Sequence, residues 1–448
     1  MSSWEYRPLS DFLTAREERY KPNDSFIASF KRINKIDFTG QIHILEKPTR
    51  TDMIVVNPGD LVISGINVAK GALAVYEGDE PVVATIHYSS YTFDKNKIDI
   101  DFLKRFLKSP SFIIELQNQV KGGIKTEIKP KHLLPLKLKI PNLAEQQIIN
   151  RYFNAIENEA IYLSNEITTQ STLLSQLRQA ILQEAIEGKL TAGWRKENPI
   201  RKGDPDFDAE ALLKKIKIEK EKLIKEGKIK KQKPLAEIKA EEVPFGLPEG
   251  WVWTRLGETI FYTDNLDIQK KLSPSTIINY VDIDSIDNKL HQIKEYKIKT
   301  VSELSSRARR VLKKGYIAYS TVRPYLENIA FIENDIENGI GSTGLNVFKS
   351  IKNNSFYVFN FLLSPYINNK YKEMMIGFNS PSITNEQFEN TYFPLPPVSE
   401  QQAIVDHIEK LLSMVDELEK QVSERKEQAE QLMQAVLREA FEPAAAGR

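Results

Sequence analysis

Leu143-Ala144-Glu145-Gln146-Gln147-Ile148-Ile149 returns, about 255 residues later, as Val398-Ser399-Glu400-Gln401-Gln402-Ala403-Ile404. The register holds without a gap through Gln176-Leu177-Arg178-Gln179-Ala180 against Gln431-Leu432-Met433-Gln434-Ala435. Agreement over this length marks an internal repeat rather than chance. Both copies carry apolar residues at alternating steps of three and four. In the first these are Ile149, Phe153, Ile156, Ala160, Leu163, Ile167, Leu174, Leu177 and Ile181; in the second, Ile404, Ile408, Leu411, Val415, Leu418, Val422, Ala429, Leu432 and Val436. That spacing draws one apolar stripe along a helix, as a coiled-coil seam requires. One seam position is polar in both copies, Gln170 and Arg425, and a polar residue there fixes register at a cost in stability. Each helix is expected to run roughly 60 Å. One stripe cannot be buried alone. The simplest solution pairs the two helices, and an antiparallel pair relates the domains they carry by a pseudo-twofold axis. The alternative is that each helix packs on its own domain.

Upstream of each helix lies a segment of similar frame. Each starts on a tryptophan stretch, Trp4-Glu5-Tyr6-Arg7-Pro8-Leu9 and Trp251-Val252-Trp253-Thr254-Arg255-Leu256. Each has an apolar strand after a turn, Asn57-Pro58-Gly59-Asp60-Leu61-Val62-Ile63-Ser64 and Lys313-Lys314-Gly315-Tyr316-Ile317-Ala318-Tyr319-Ser320. Each closes on a short run into the long helix, Ile140-Pro141-Asn142 and Leu395-Pro396-Pro397. β-Branched strands alternate with short helical pieces, which reads as α+β: two similar α/β domains and two long helices forming an antiparallel coiled coil. The expected division is a first domain over 1–142, a helix over 143–188, a charged connector over 189–248, a second domain over 249–397, a helix over 398–443 and a disordered tail over 444–448. Between the landmarks the two domains diverge, so one frame carries two different surfaces.

Composition excludes several kinds of chemistry. With no cysteine, disulfides, thiolate metal sites and cysteine nucleophiles are out. Five scattered histidines make a histidine metal site an unpromising reading, and no metal ligand is assigned. Met1 to Tyr6 lacks the basic-then-apolar pattern of a signal peptide, and no apolar run approaches a membrane span; a cytoplasmic location without membrane contact is expected. Net charge is +1, so bulk charge does not mark a nucleic-acid binder. The lysines from Lys214 to Lys239 fit a solvated helix or non-specific phosphate contact. Gly339-Ile340-Gly341-Ser342-Thr343-Gly344 matches a dinucleotide-binding string, but Leu345-Asn346-Val347-Phe348 after it reads as a strand where the motif needs a helix. Pro205-Asp206 with Glu226-Gly227-Lys228 is nuclease-like only by spacing, in a stretch rich in such residues. No Asn-Pro-Pro-Tyr motif for amino-methyl transfer is present. No catalytic residue is assigned.

Taken in order, the landmarks resemble the specificity (S) subunits of type I restriction-modification systems. The resemblance rests on Leu247-Pro248-Glu249-Gly250-Trp251, on Ile383-Thr384-Asn385-Glu386-Gln387-Phe388 followed by Pro394 to Gln402, on Gln434 to Phe441, and on Gly188-Lys189-Leu190-Thr191-Ala192-Gly193-Trp194-Arg195. The first domain departs from it, keeping only Trp4 of the Leu-Pro-x-Gly-Trp start. The resemblance implies two target-recognition domains, each clasping one half of a bipartite double-stranded DNA site. The helices would set the unread spacer and dock two methyltransferase (M) subunits, and restriction (R) subunits would join. Cofactors would reside on those partners (S-adenosylmethionine, ATP and Mg), with none bound by this chain. Two other readings stand beside this one: a specificity module related to a fused methyltransferase-nuclease, and a coiled-coil scaffold binding protein or RNA.

Base reading needs donors and acceptors on a rigid frame. In the second domain Tyr319, Ser320, Thr321, Arg323 and Tyr325 leave a strand. Arg323 could set its planar fork on guanine O6 and N7, with Pro324 restricting it to extended backbone; the other reading is a structural arginine paired with a carboxylate. The first-domain equivalent carries Ser64, Asn67 and Lys70, with Asn67 opposite Arg323, and asparagine suits adenine. A second stretch in each domain offers Lys121, Gly123 and Lys125, and Asn379 and Ser380, as close-approach loops or as plain surface turns. Arg307, Arg309 and Arg310 form a further basic patch suited to phosphate.

Overall fold

The computed structural model describes residues 4–45, 49–119 and 127–441. Two compact units divide the chain. One holds the residues up to Thr169 together with those from Val422 on; the other is Gln170–Gln421. Both long helices, Leu143–Ile186 and Val398–Phe441, cross this division. Each unit thus groups the early part of one helix with the late part of the other.

Within the second unit the helices run antiparallel. The Arg178 guanidinium donates to Asp416 and, at 3.1 Å, to Glu419. Further along the chain Thr191 Oγ1 donates to Glu400 Oε1 at 2.7 Å, so rising numbers on one side meet falling numbers on the other. Burial follows one heptad position: Phe153, Ile167, Leu174 and Ile181 on the first helix, Ile408 and Val415 on the second. Of the expected pairing residues, Ile404 is buried, whereas Ile149, Ile156, Leu163, Gln170 and Leu411 are half-buried. Leu177, Leu418, Arg425 and Leu432 are exposed, contrary to a fully buried seam. A pair of helices encloses a narrow seam, so the second apolar position of each heptad falls at its rim; there Arg425 keeps its charge in water. The alternative also holds for part of the helix, since Phe153 belongs to the core of the first domain.

The two domains share one strand plan. Leu13–Ala15, Tyr88–Phe93, Leu61–Ser64 and Leu73–Val75 lie in that order across an antiparallel sheet. Ile260–Tyr262, Leu345–Ser350, Ile317–Ser320 and Ile329–Phe331 repeat it. The tryptophan stretches become the opening strands Glu5–Pro8 and Val252–Arg255, each closed by an antiparallel partner, Lys137–Ile140 and Tyr392–Leu395. Concavities also match. One of 940 Å³ lies among Ile42, Val75, Lys104, Lys108 and Glu157, and one of 360 Å³ among Ile293, Phe331, Phe359, Leu363 and Leu412. The frame is common; the lining has turned from charged to aromatic.

The repeated Glu-Gln-Gln has a mechanical role. Gln146 Oε1 accepts from the Asp99 amide at 2.7 Å and its Nε2 donates to the Pro141 carbonyl at 2.8 Å. Gln401 does the same with Asn354 (2.8 Å) and Pro396 (2.9 Å). Asp99 and Asn354 cap the equivalent helices Ile100–Phe106 and Ser355–Leu362. A buried amide thus fastens each long helix to its own domain at one angle. Gln401→Leu and Gln146→Leu are each expected to cost about 1–3 kcal/mol, because each strands buried backbone groups. Urea unfolding of the full chain measures this, and a change below about 0.5 kcal/mol would contradict the role.

The connector is no free linker. Its helix Ala209–Lys225 buries Ala209, Leu212, Ile216 and Lys220, and the Lys220 ammonium donates to the Gly257 carbonyl. Lys214, Lys215 and Lys217 face solvent. Arg255 then grips the following extended segment through the Ala236 and Glu237 carbonyls at 3.0 and 2.8 Å. The glycine-rich string falls on strand Gly339–Ser342 and the turn to Leu345–Ser350. Among the described residues no helix is long and apolar enough to cross a membrane.

Candidate nucleic-acid interface

In the second domain two stretches some sixty residues apart meet at one edge. The chain leaves strand Ile317–Ser320, and the Arg323 amide donates to the Pro381 carbonyl at 2.8 Å. Val322 and Ser382 form an antiparallel bridge, and the Ile383 amide donates to the Thr321 carbonyl at 3.0 Å. The second loop is closed at its own neck by reciprocal bonds between Ile376 and Ser382, at 2.9 and 3.0 Å. Arg323 Nη2 then donates to the Asn379 carbonyl at 3.0 Å, so one loop's side chain holds the other loop's tip.

Arg323 is not extended. Its φ is 47° and ψ 57°, the left-handed region. Pro324 disfavours the right-handed region for the residue before it. The bond to Pro381, with that from the Leu326 amide to the Arg323 carbonyl (2.9 Å), selects the left-handed alternative. Glu327, at φ 55°, closes the same short turn; Asn368 Nδ2 donates to its carboxylate at 2.5 Å, and burial pushes that carboxyl up. Two side-chain-bearing residues in this region within five positions store strain, and such strain gathers at ligand clamps. Among the described residues no carboxylate pairs with Arg323, whose side chain donates to a carbonyl instead.

The predicted readers divide by exposure. Arg323, Asn379 and Ser380 are exposed and Tyr325 is half-buried. Tyr319, Ser320 and Thr321 are buried, which takes them out of reach of a groove edge. The Tyr319 ring sits 6.2 Å from that of Tyr371 and 5.4 Å from that of Phe388, and Ser320 Oγ donates to the Val322 carbonyl at 2.8 Å. These three make the pedestal. In the basic patch only Arg307 is exposed: Arg309 Nε donates to the Ser306 carbonyl at 2.7 Å, and burial lowers the Arg310 pKa.

The first domain repeats the junction. The Ile128 amide donates to the Gly65 carbonyl at 2.9 Å, and the Gly65 amide to the His87 carbonyl at 2.8 Å. A Cβ on Gly65 would stand 2.6 Å from the Ile128 carbonyl oxygen, so only glycine fits. Ser64 is buried and serves as pedestal. Asn67 is half-exposed and Lys70 exposed, with Lys70 Nζ 5.6 Å above the Phe38 ring. Lys121, Gly123 and Lys125 lie outside the described residues. Sequence reasoning missed His87, whose Nδ1 is 2.8 Å from Glu127 Oε1, directly after that second stretch. Nothing periodic marks a pair forty residues apart.

Residues 248–428 match a family profile described as type I restriction modification DNA specificity domain. Over 278 residues the chain is 32% identical to the EcoAI specificity subunit of Escherichia coli and, over as many, 32% identical to the EcoEI specificity subunit of the same species. The second half of the chain thus carries a type I DNA specificity domain. These alignments take in 59% of the chain and 44% and 43% of the two relatives, so the chain matches less than half the length of either. The fold of a specificity subunit extends over the remainder. An HsdS subunit from Thermoanaerobacter tengcongensis covers 98% of this chain and 96% of its own, at TM-score 0.55 and 15% identity. A chain from a structure on complex assembly and conformational transition of the type I R-M system covers 98% and 97%, at TM-score 0.59 and 15% identity. At that identity the likeness is one of fold.

Proposed function

We propose that this chain is a specificity subunit that reads a bipartite double-stranded DNA site for a type I restriction-modification complex, one half per domain. The observation that carries the reading is the repeated junction. Gly65–Ile128 and Thr321–Ile383 are bonded in the same way, while the side chains beside them differ, half-exposed Asn67 and exposed Lys70 in one domain and exposed Arg323, Asn379 and Ser380 in the other. One frame with two chemistries is what two unlike half-sites require. The long helices set the unread gap and carry two methyltransferase subunits, which restriction subunits join. S-adenosylmethionine, ATP and Mg act on those partners, and this chain contributes recognition without catalysis.

The test is methylome sequencing after co-expression with a methyltransferase subunit of the same system. The expected result is a two-part motif with a gap of fixed length. A continuous motif, or modification without sequence preference, would overturn the reading.

A further inference from the structure

Phe378 is 100% exposed, at the tip of the loop that Arg323 holds. Singly exposed apolar residues are ordinary; the setting of this one is not. The loop neck is closed by the two bonds between Ile376 and Ser382, and the residue after Phe378 is gripped through its carbonyl, that of Asn379. Gly377, at φ 107°, turns the chain at a conformation that favours glycine. The phenyl group is therefore carried outward on a braced support, flanked by Arg323, Asn379 and Ser380, all exposed. Ile376, two residues earlier in the same loop and 62% exposed, adds apolar surface. A planar apolar group presented among hydrogen-bonding side chains matches the interior of a base stack next to base edges. Proteins that kink duplexes insert phenylalanine, leucine or isoleucine between base pairs in this way.

We infer that Phe378 is a wedge that enters one base step in the half-site read by the second domain, unstacking it while Arg323 and its neighbours contact the adjoining edges. The inference rests on the DNA-reading role proposed above. Selectivity then includes the ease of opening a step, which favours pyrimidine–purine steps at the wedge position.

The assembled complex, bound to duplexes of the mapped motif with 2-aminopurine placed at successive positions, provides the test. The unaltered protein should raise fluorescence at one step in one half-site only. Phe378→Ala should abolish that rise and weaken binding about tenfold or more, and Phe378→Leu should keep part of both. Methyltransferases extrude their target base, so a rise confined to the methylated base and equal in all three proteins would overturn the wedge. So would weakened assembly with the methyltransferase in the absence of DNA, which would place Phe378 in a protein interface. Failure of the unaltered complex to bind any duplex would remove the DNA-reading role itself and the wedge with it.

Discussion

Replacing Glu400 by alanine is expected to destabilise the full chain by about 3–5 kcal/mol, as removal of one partner from a buried charge pair does. Glu400 is 1% exposed. Its Oε1 accepts from Thr191 Oγ1 at 2.7 Å and from Arg195 Nη1 at 2.5 Å, and its Oε2 accepts from the Trp251 indole at 2.7 Å. Arg195 in turn donates to the Gly188 carbonyl at 2.7 Å. A Cβ on Gly188 would lie 2.5 Å from Pro248 and 3.1 Å from Trp251. Three stretches that are far apart in sequence thus converge on one carboxylate: Gly188 to Arg195, Leu247 to Trp251, and the start of the second long helix. Alanine would leave a half-buried guanidinium and an indole N–H without their acceptor. Glu400→Gln retains one oxygen and should cost less. Glu145, its counterpart in the first half, is only half-buried, and Glu145→Ala should stay near 0.5 kcal/mol. Denaturant unfolding of the three variants decides it; equal effects at Glu145 and Glu400 would contradict the node.

That node also explains why the two halves are unequal in sequence. The first domain lacks the Leu-Pro-x-Gly-Trp start, and its glutamate is correspondingly only half-buried. The repeat, the long helices and the strands Leu61–Ser64 and Ile317–Ser320 were legible because local periodicity encodes them and each copy checks the other. Burial of Tyr319 and Ser320 was not. All four residues of that strand are buried, so both faces are covered and an alternating pattern has no solvent side to report. The left-handed turn at Arg323 escaped for a different reason. The residue before proline is biased by sterics to extended backbone, and a bond to Pro381, some sixty positions away, joins the local one from Leu326 in overriding that bias. The junctions of the candidate site consist of such long-range backbone bonds, which leave no trace in composition or spacing.

Arg323→Gly separates folding from reading more cleanly than alanine does. A left-handed residue bearing a side chain costs about 1–2 kcal/mol that glycine avoids, while glycine loses more backbone entropy on folding and this one forfeits the bond to the Asn379 carbonyl. These terms oppose one another, so stability should remain within about 1 kcal/mol of the parent. Recognition should not survive as well. The guanidinium has five N–H donors, and the one that holds Asn379 leaves others on the exposed side chain for a base edge. Losing a bidentate contact of that kind relaxes discrimination by about 1–3 kcal/mol at one base pair. The methylome of cells carrying the variant should therefore show one degenerate position in one half of the motif, with the gap and the other half unchanged. Arg323→Lys keeps the charge but lacks the planar fork, so it should retain overall affinity and show the same degeneracy. An unchanged motif in both variants would leave Arg323 as a brace for the loop tip and move base reading to Asn379 and Ser380. That a strained arginine occupies a position glycine would fill more easily is the reason to expect the first result: strain of this kind persists where the side chain is used.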